Sequence, residues 1–540
     1  MIKILKPLKV ASFALFAISA SATLNAPVQA QSLLYPGIQN SAARLKAADA
    51  DIVKFYQERR FKPIWVGNQN SSRRNAFIKV LRDASDHGLP VSRYNPSGLM
   101  KALKSARSAE DRGNAEILAS KTFVQYARDI SSGVLQPSAV DREIAVQPKK
   151  YAAYGLLTNF AKSSPKGYLA KLAPSNPEYT ALLKERERLS KSMRGASAVD
   201  VPMATIKPGI SSKNVVIMRQ KLGALGYGKL GNSPTYDTKL VAVVKKFQTD
   251  RGLGADGIVG PSTIRSMNFG PKAQMVKVLV NLERQRWLNF PRGDRHVMVN
   301  LPDYSVSLVD KGKVSFKSRT VIGQTKNDFR TPEFYDSMTH MVVNPTWNVP
   351  KSIAVKEYVP IIKRDPNFLA KRNMYMVNGS GKAVRPSVAE LSKYNKDNYG
   401  KFPYYIKQKP DPRNALGLVK FMFPNKYNIY LHDTPSKSLF NKETRAFSHG
   451  CIRVHQPFDF AYKLLERQEA NPKASFANWL NAKKERFVNL KTPVPVYITY
   501  RTVYFDGGSK PIYRSDIYGR DKKVFNALTR AGVALTAVES

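Results

Sequence analysis

Between Ser41 and Leu189, apolar residues recur three or four positions apart, in runs from Ala43 to Tyr56, Phe77 to Ala84 and Ile117 to Ile130. That spacing predicts amphipathic helices, divided by the breakers Gly88-Leu89-Pro90, Asn95-Pro96-Ser97 and Ser131-Ser132-Gly133. Residues 41–189 hold no chemical constellation and read as a helical scaffold; His87, beside the helix-ending Gly88, reads as structural. Residues 190–208 are rich in Ser, Lys and Ala and read as a linker. Residues 209–270 predict a three-helix bundle. A first helix carries Val215, Met218 and Leu222, and a second carries Leu240, Val244 and Phe247; Asp256-Gly257 makes a tight turn and Pro261 opens the third helix. A bridging helix from Met275 to Leu288 fills residues 271–294.

Beyond His296 the rhythm shortens to two. Val297, Val299 and Leu301, then Val306 and Leu308, read as paired strands, with Lys311-Gly312-Lys313 as a hairpin turn. Thr320 to Gly323, His340 to Val343, Tyr427 to Leu431 and Val494 to Tyr504 continue the pattern. Residues 295–505 therefore read as a β-rich domain, followed by an extension over 506–540. The strand rhythm breaks between Lys351 and Lys420, a stretch with 15 Lys/Arg against 5 Asp/Glu. An insertion that long is functional or disordered as a rule; basic residues interleaved with tyrosines suit either a cover for a substrate groove or a solvated surface. The fold class is multidomain α+β.

Composition adds three constraints. Lys3, Lys6 and Lys9 precede an apolar, small-residue run and Val28-Gln29-Ala30, so residues 1–30 read as a cleaved export signal. The formal net charge of +47 favours a polyanionic surrounding, and with no recognition motif in an exported chain, nucleic acid is not the expected partner. The chain holds one cysteine, which cannot form an intrachain disulfide and must be either a buried small hydrophobe or a reactive thiol.

Its surroundings favour reactivity. Cys451 ends Ser448-His449-Gly450-Cys451 and lies nineteen residues after His432, which closes an apolar strand pattern. Cysteine catalysis needs a thiolate, a base to generate it and donors for the oxyanion. His432 is the candidate base, and Gly450 permits the turn that such donors require. His449 would orient that turn or line the pocket, and Arg453 would neutralise a substrate carboxylate or brace the turn. His296, His340 and His455 have no comparable context.

Two groups of residues carry family resemblances. Leu222, Gly226-Tyr227, Phe247-Gln248, Gly252-Leu253 and Asp256 to Thr263 resemble a peptidoglycan-binding domain of wall enzymes. His432, fifteen residues, then Ser448-His-Gly-Cys-Ile-Arg453 resembles the catalytic motif of L,D-transpeptidases of the YkuD type. Gly323-Gln-Thr, Thr331-Pro332, Asn344 to Pro350, Ala415 to Gly417 and Phe423 to Asn425 match the same family in order. Phe55-Tyr56, Pro63 to Trp65, Tyr126 to Asp129, Gly133 and Leu172 to Pro174 are similar to the scaffold of its large Gram-negative, YcbB-like subfamily. The resemblance implies a β-rich catalytic domain with a capping insertion at 351–420. It implies Cys451 as nucleophile and His432 as base, held by a backbone carbonyl. Ser448, His449 and Gly450 would shape the turn and oxyanion hole, and Tyr430 and Trp347 would line the groove. No metal or cofactor is implied. The implied reaction is 3-3 crosslinking of peptidoglycan tetrapeptide stems in the periplasm, with D-alanine released. Hydrolysis by the same thioester, outer-membrane proteins as acyl acceptors, and carbapenems as covalent inhibitors belong to the same chemistry. A non-catalytic wall tether is the alternative from another class.

Overall fold

A computed structural model describes residues 35–193, 199–251, 253–508 and 510–535. The expected export signal lies outside the described residues. The scaffold is organised around the helix Ala109–Ser132, which opens on a capping box between Ser108 and Asp111 and ends at Gly133, φ +97°. Trp65 occupies the middle of its core, with ring centroids 5.0, 5.8 and 5.2 Å from those of Phe77, Phe123 and Phe160. The loop carrying Trp65 is held by one buried carboxylate. Glu116 accepts from the backbone N–H groups of Ile64, Trp65 and Val66 and from the Tyr56 hydroxyl, at 2.6 to 3.0 Å. Burial pushes that carboxyl up, and these donors oppose the shift.

The next unit has three helices, Lys213–Ala224, Thr238–Asp250 and Pro261–Met267, around Val215, Leu222, Leu240, Phe247 and Ile264. Buried Gln248 fixes the Asp256-Gly257 turn: its amide donates to Asp256 Oδ1 at 2.9 Å and its carbonyl accepts from Gly257 N at 2.9 Å. The end of the stretch read as a linker joins this unit. Val201 and Ile206 are buried in its core, and Ile206 bridges to Val259. Two isolated apolar positions give no periodicity, so the sequence pattern does not register them.

The β-rich domain has nine strands: β1 (Arg295–Asn300), β2 (Ser305–Asp310), β3 (Lys313–Gly323), β4 (Phe334–Val343), β5 (Val419–Met422), β6 (Leu431–His432), β7 (Ala446–Ser448), β8 (Ile452–Val454) and β9 (Arg486–Thr499). Their order is β7-β3-β8-β6-β5-β4-β9-β1-β2, and β2 pairs back onto β3, closing eight of them into a ring. Closure leaves no free edge in the ring. The tight turn at Lys311-Gly312 (φ +48° and +77°) joins β2 to β3 with Asp310 opposite Lys313, the two-residue hairpin that favours positive φ. Tyr427 to Tyr430, read as strand from alternation, are instead a loop. The Asn425 side chain accepts from Tyr427 N and Ile429 N and donates to Ile429 O, and Asn428 takes φ +53°.

Between β4 and β5 the chain leaves the ring and builds a separate cap. Four short strands, Trp347–Asn348, Met374–Val377, Ala383–Val384 and Tyr405–Gln408, cover a core that includes Val355, Val359, Phe402 and Ile406. The ring is seated on the scaffold by the helix Pro271–Trp287, which packs against Pro177–Met193 and Arg520–Arg530. The seam is polar and buried: Arg284 pairs with Asp521 at 2.5 Å, Arg286, paired within its own helix to Glu283, donates to the scaffold's His87 O at 2.8 Å, and Thr502 donates to Asp521 at 2.6 Å. Within residues 506–535, Ile512–Tyr513 pairs with Val503–Tyr504 before the final helix. Among the described residues, no helix is long and apolar enough to cross a membrane.

Candidate active site

β6 and β8 run parallel, with Leu431 opposite Ile452 and His432 opposite Arg453. Side chains alternate between the faces of a strand, so one face takes Leu431, Ile452 and Val454 into the ring's core, where all three are fully buried. His432 and Arg453 take the other face, and continuing the alternation by one residue puts Tyr430 and Cys451 there as well. The Ile452 N–H donates to Tyr430 O at 3.1 Å, and the Tyr430 hydroxyl and the Cys451 thiol are near enough to shift each other's titration. Tyr430 packs against both the ring core and the cap core and so lies at their junction.

Each side chain on this face is held in place. The Asp433 carbonyl is 2.5 Å from His432 Nδ1 and selects the tautomer that leaves Nε2 with a lone pair. Burial, and then the Arg453 charge, depress the His432 pKa to about 3, against the pull of the Asp433 and Leu416 carbonyls. Cys451, half-buried and unpaired, is 3.6 Å from Asn428 O. Burial pushes its thiol up to about 11, against the lowering influence of Tyr430 and the Arg453 charge. Both groups are therefore neutral near pH 7. Arg453 is itself held below its usual range by burial, and its buried Nε has no hydrogen-bond partner among the described residues.

The turn before Cys451 is built by three contacts. Gly450 adopts φ +112°, a region that penalises any side chain. The Ser448 hydroxyl accepts from Gly450 N at 3.2 Å and donates to Cys451 O at 2.5 Å. The Thr331 hydroxyl donates to Gly450 O at 2.7 Å. The Gly450 amide is thus committed to Ser448, whereas the Cys451 N–H has no partner among the described residues.

His449 points to the cap: its Nε2 is 2.6 Å from Glu357 Oε1, and its ring meets Phe329 edge-on at 4.5 Å. Trp347, expected along the groove, lies in the cap's core, 8% exposed and edge-to-face with Tyr358 at 6.3 Å. His296, His340 and His455 take local contacts with Gly293 O, Thr339 and Arg319. Thr331 and Glu357 were not singled out from sequence. Thr331-Pro332 was visible as a matching dipeptide, but Glu357 carries no sequence signal.

Residues 294–496 match the L,D-transpeptidase catalytic domain, residues 211–267 match the family described as "Putative peptidoglycan binding domain", and residues 50–185 match a scaffold domain. A Haemophilus influenzae protein named "Putative L,D-transpeptidase" is 34% identical over 249 residues, 46% of this chain and 48% of that protein. The chain thus spans about half the length of this curated relative. A solved L,D-transpeptidase structure from Xylanimonas cellulosilytica is 16% identical, with a TM-score of 0.16, covering 56% of this chain and 100% of that one. Cys451, His432 and the Ser448–Cys451 turn all fall inside the first of these matches. The chain carries an L,D-transpeptidase catalytic domain together with a peptidoglycan-binding domain and a helical scaffold domain, a combination that implies association with the cell wall.

Proposed function

We propose that this protein crosslinks peptidoglycan stems through a thioester on Cys451. The observation that supports this reading best is the shared strand face: thiol, imidazole, tyrosine hydroxyl and guanidinium stand together, beside an amide with no internal partner. The Cys451 thiol gives its proton to His432 Nε2 as sulfur attacks the carbonyl carbon of the third residue of a tetrapeptide stem. The Cys451 N–H stabilises the oxyanion. Collapse breaks the bond to the terminal D-alanine, whose nitrogen takes the proton from His432. The side-chain amine of a second stem then attacks the thioester, forming a 3-3 crosslink and restoring the thiol.

With both groups neutral at rest, His432 takes the thiol proton only as sulfur begins to bond to carbon. The wall-binding unit on the same chain supports peptidoglycan stems as donor and acceptor. The reading places the protein in the periplasm and admits carbapenems as acyl donors to the same sulfur. The test is incubation of the purified protein with tetrapeptide muropeptides and mass analysis of the products. Crosslinked dimers and free D-alanine are expected from the wild type and neither from Cys451→Ala. Tripeptide without dimers would make water the acceptor, and products undiminished in Cys451→Ala would remove the assignment.

A further inference from the structure

The carbonyl of Gly450 and the N–H of Cys451 belong to one planar trans peptide and point in opposite directions. Whatever holds that carbonyl also aims that N–H. The holding group is Thr331, on the segment leading into β4. Its buried hydroxyl donates to Gly450 O at 2.7 Å and accepts from Gly323 N at 3.0 Å. Thr331 is anchored from the C-terminal part of the chain. Arg520, fully buried, donates to Thr331 O at 2.8 Å and pairs with Glu333 at 3.3 Å and with the scaffold's Glu143 at 3.0 Å. The Tyr518 hydroxyl donates to Gly323 O at 2.6 Å and accepts from Thr331 N at 3.4 Å. The scaffold adds a second tie, since Ala145 N donates to Glu333 O and Glu333 N to Glu143 O, both at 2.8 Å.

We propose that Thr331 is a positioning residue for the oxyanion amide of Cys451, and that Tyr518, Arg520 and the scaffold's Glu143–Ala145 segment hold Thr331 in register. This rests on the acyl-transfer reading of Cys451. It makes the junction between scaffold, C-terminal helix and catalytic ring part of what sets the acylation rate.

The test separates aim from general damage by using two reactions of the same sulfur. Acylation by a tetrapeptide stem passes through an oxyanion; alkylation by iodoacetamide does not. Thr331→Val should lower the acylation rate about 10- to 100-fold, with KM within about twofold and alkylation within about twofold of wild type. Thr331→Ser, which keeps the hydroxyl, should acylate within about threefold of wild type. Should Thr331→Val be recovered unfolded, Tyr518→Phe removes only the outer hydroxyl and should slow acylation about threefold at unchanged alkylation. Acylation unchanged in Thr331→Val, or both reactions falling together, overturns the proposal; for Tyr518→Phe, unchanged acylation does the same. A wild-type protein that releases no D-alanine refutes the acyl-transfer reading itself.

Discussion

Alkylation of Cys451 should follow the pH dependence of a thiol with no ion-pair partner. Burial raises this thiol to about 11 and lowers His432 to about 3, so neither group is charged near neutrality. At pH 7 roughly one sulfur in 10⁴ is then thiolate, against about one in 30 for an unperturbed cysteine. A more basic thiolate is the better nucleophile, which recovers about tenfold of that roughly 300-fold deficit. Cys451 should therefore react with iodoacetamide about 20- to 30-fold more slowly than free cysteine at pH 7. The second-order rate, followed by the mass shift at Cys451, should rise about tenfold per pH unit from pH 6 to 10. A plateau beginning near pH 6 to 8 would refute the neutral pair, because it would mean that His432 already holds the proton at rest.

Three further expectations follow from single positions. Gly450→Ala puts a side chain at φ +112° and a methyl 3.0 Å from Ile429 Cδ1, so acylation should fall more than about 100-fold for a stability loss of about 1–3 kcal/mol; acylation near wild type would show that the turn geometry is dispensable. Glu357→Gln weakens the contact between cap and His449, a pair 30% and 40% exposed, so stability should move by less than about 1 kcal/mol while KM for the stem rises a few-fold. An unchanged KM would separate the cap contact from substrate binding. His87 is depressed to about 4 by burial and by Arg286 and Arg186. A depressed histidine contributes stability that is present above its unfolded value near 6.5 and is lost as pH falls toward 4. Between pH 7 and 5 the wild type should lose about 2 kcal/mol more than His87→Gln in denaturant titrations; parallel losses would place the titration elsewhere.

The parts legible in sequence are those whose signal is local. The helical spacing from Ile117 to Ile130 falls inside Ala109–Ser132, and the two-residue rhythm after His296 becomes β1 to β3. Ser448 to Cys451 are contiguous, and His432 stands near them in the chain, so they could be read together as one candidate site. Glu357 meets His449 across 92 positions, Thr331 meets Gly450 across 119 and Arg520 meets Glu143 across 377. Pairings at such separation are set by how the ring closes and the cap folds back, and neither periodicity nor composition records them. Trp347 illustrates the reverse: an aromatic beside a groove motif reads as lining, yet the cap builds its own core and buries it. The Tyr427 to Tyr430 loop was obscured because a side-chain-built turn around Asn425 mimics strand alternation.

The most direct test of the central claim is the intact mass of the protein during turnover of a tetrapeptide stem, with peptide mapping of any adduct. A thioester-linked tripeptide on Cys451, formed as D-alanine is released and absent from Cys451→Ala, is the predicted result. D-alanine release without an adduct at Cys451, persisting in the alanine variant, would contradict it.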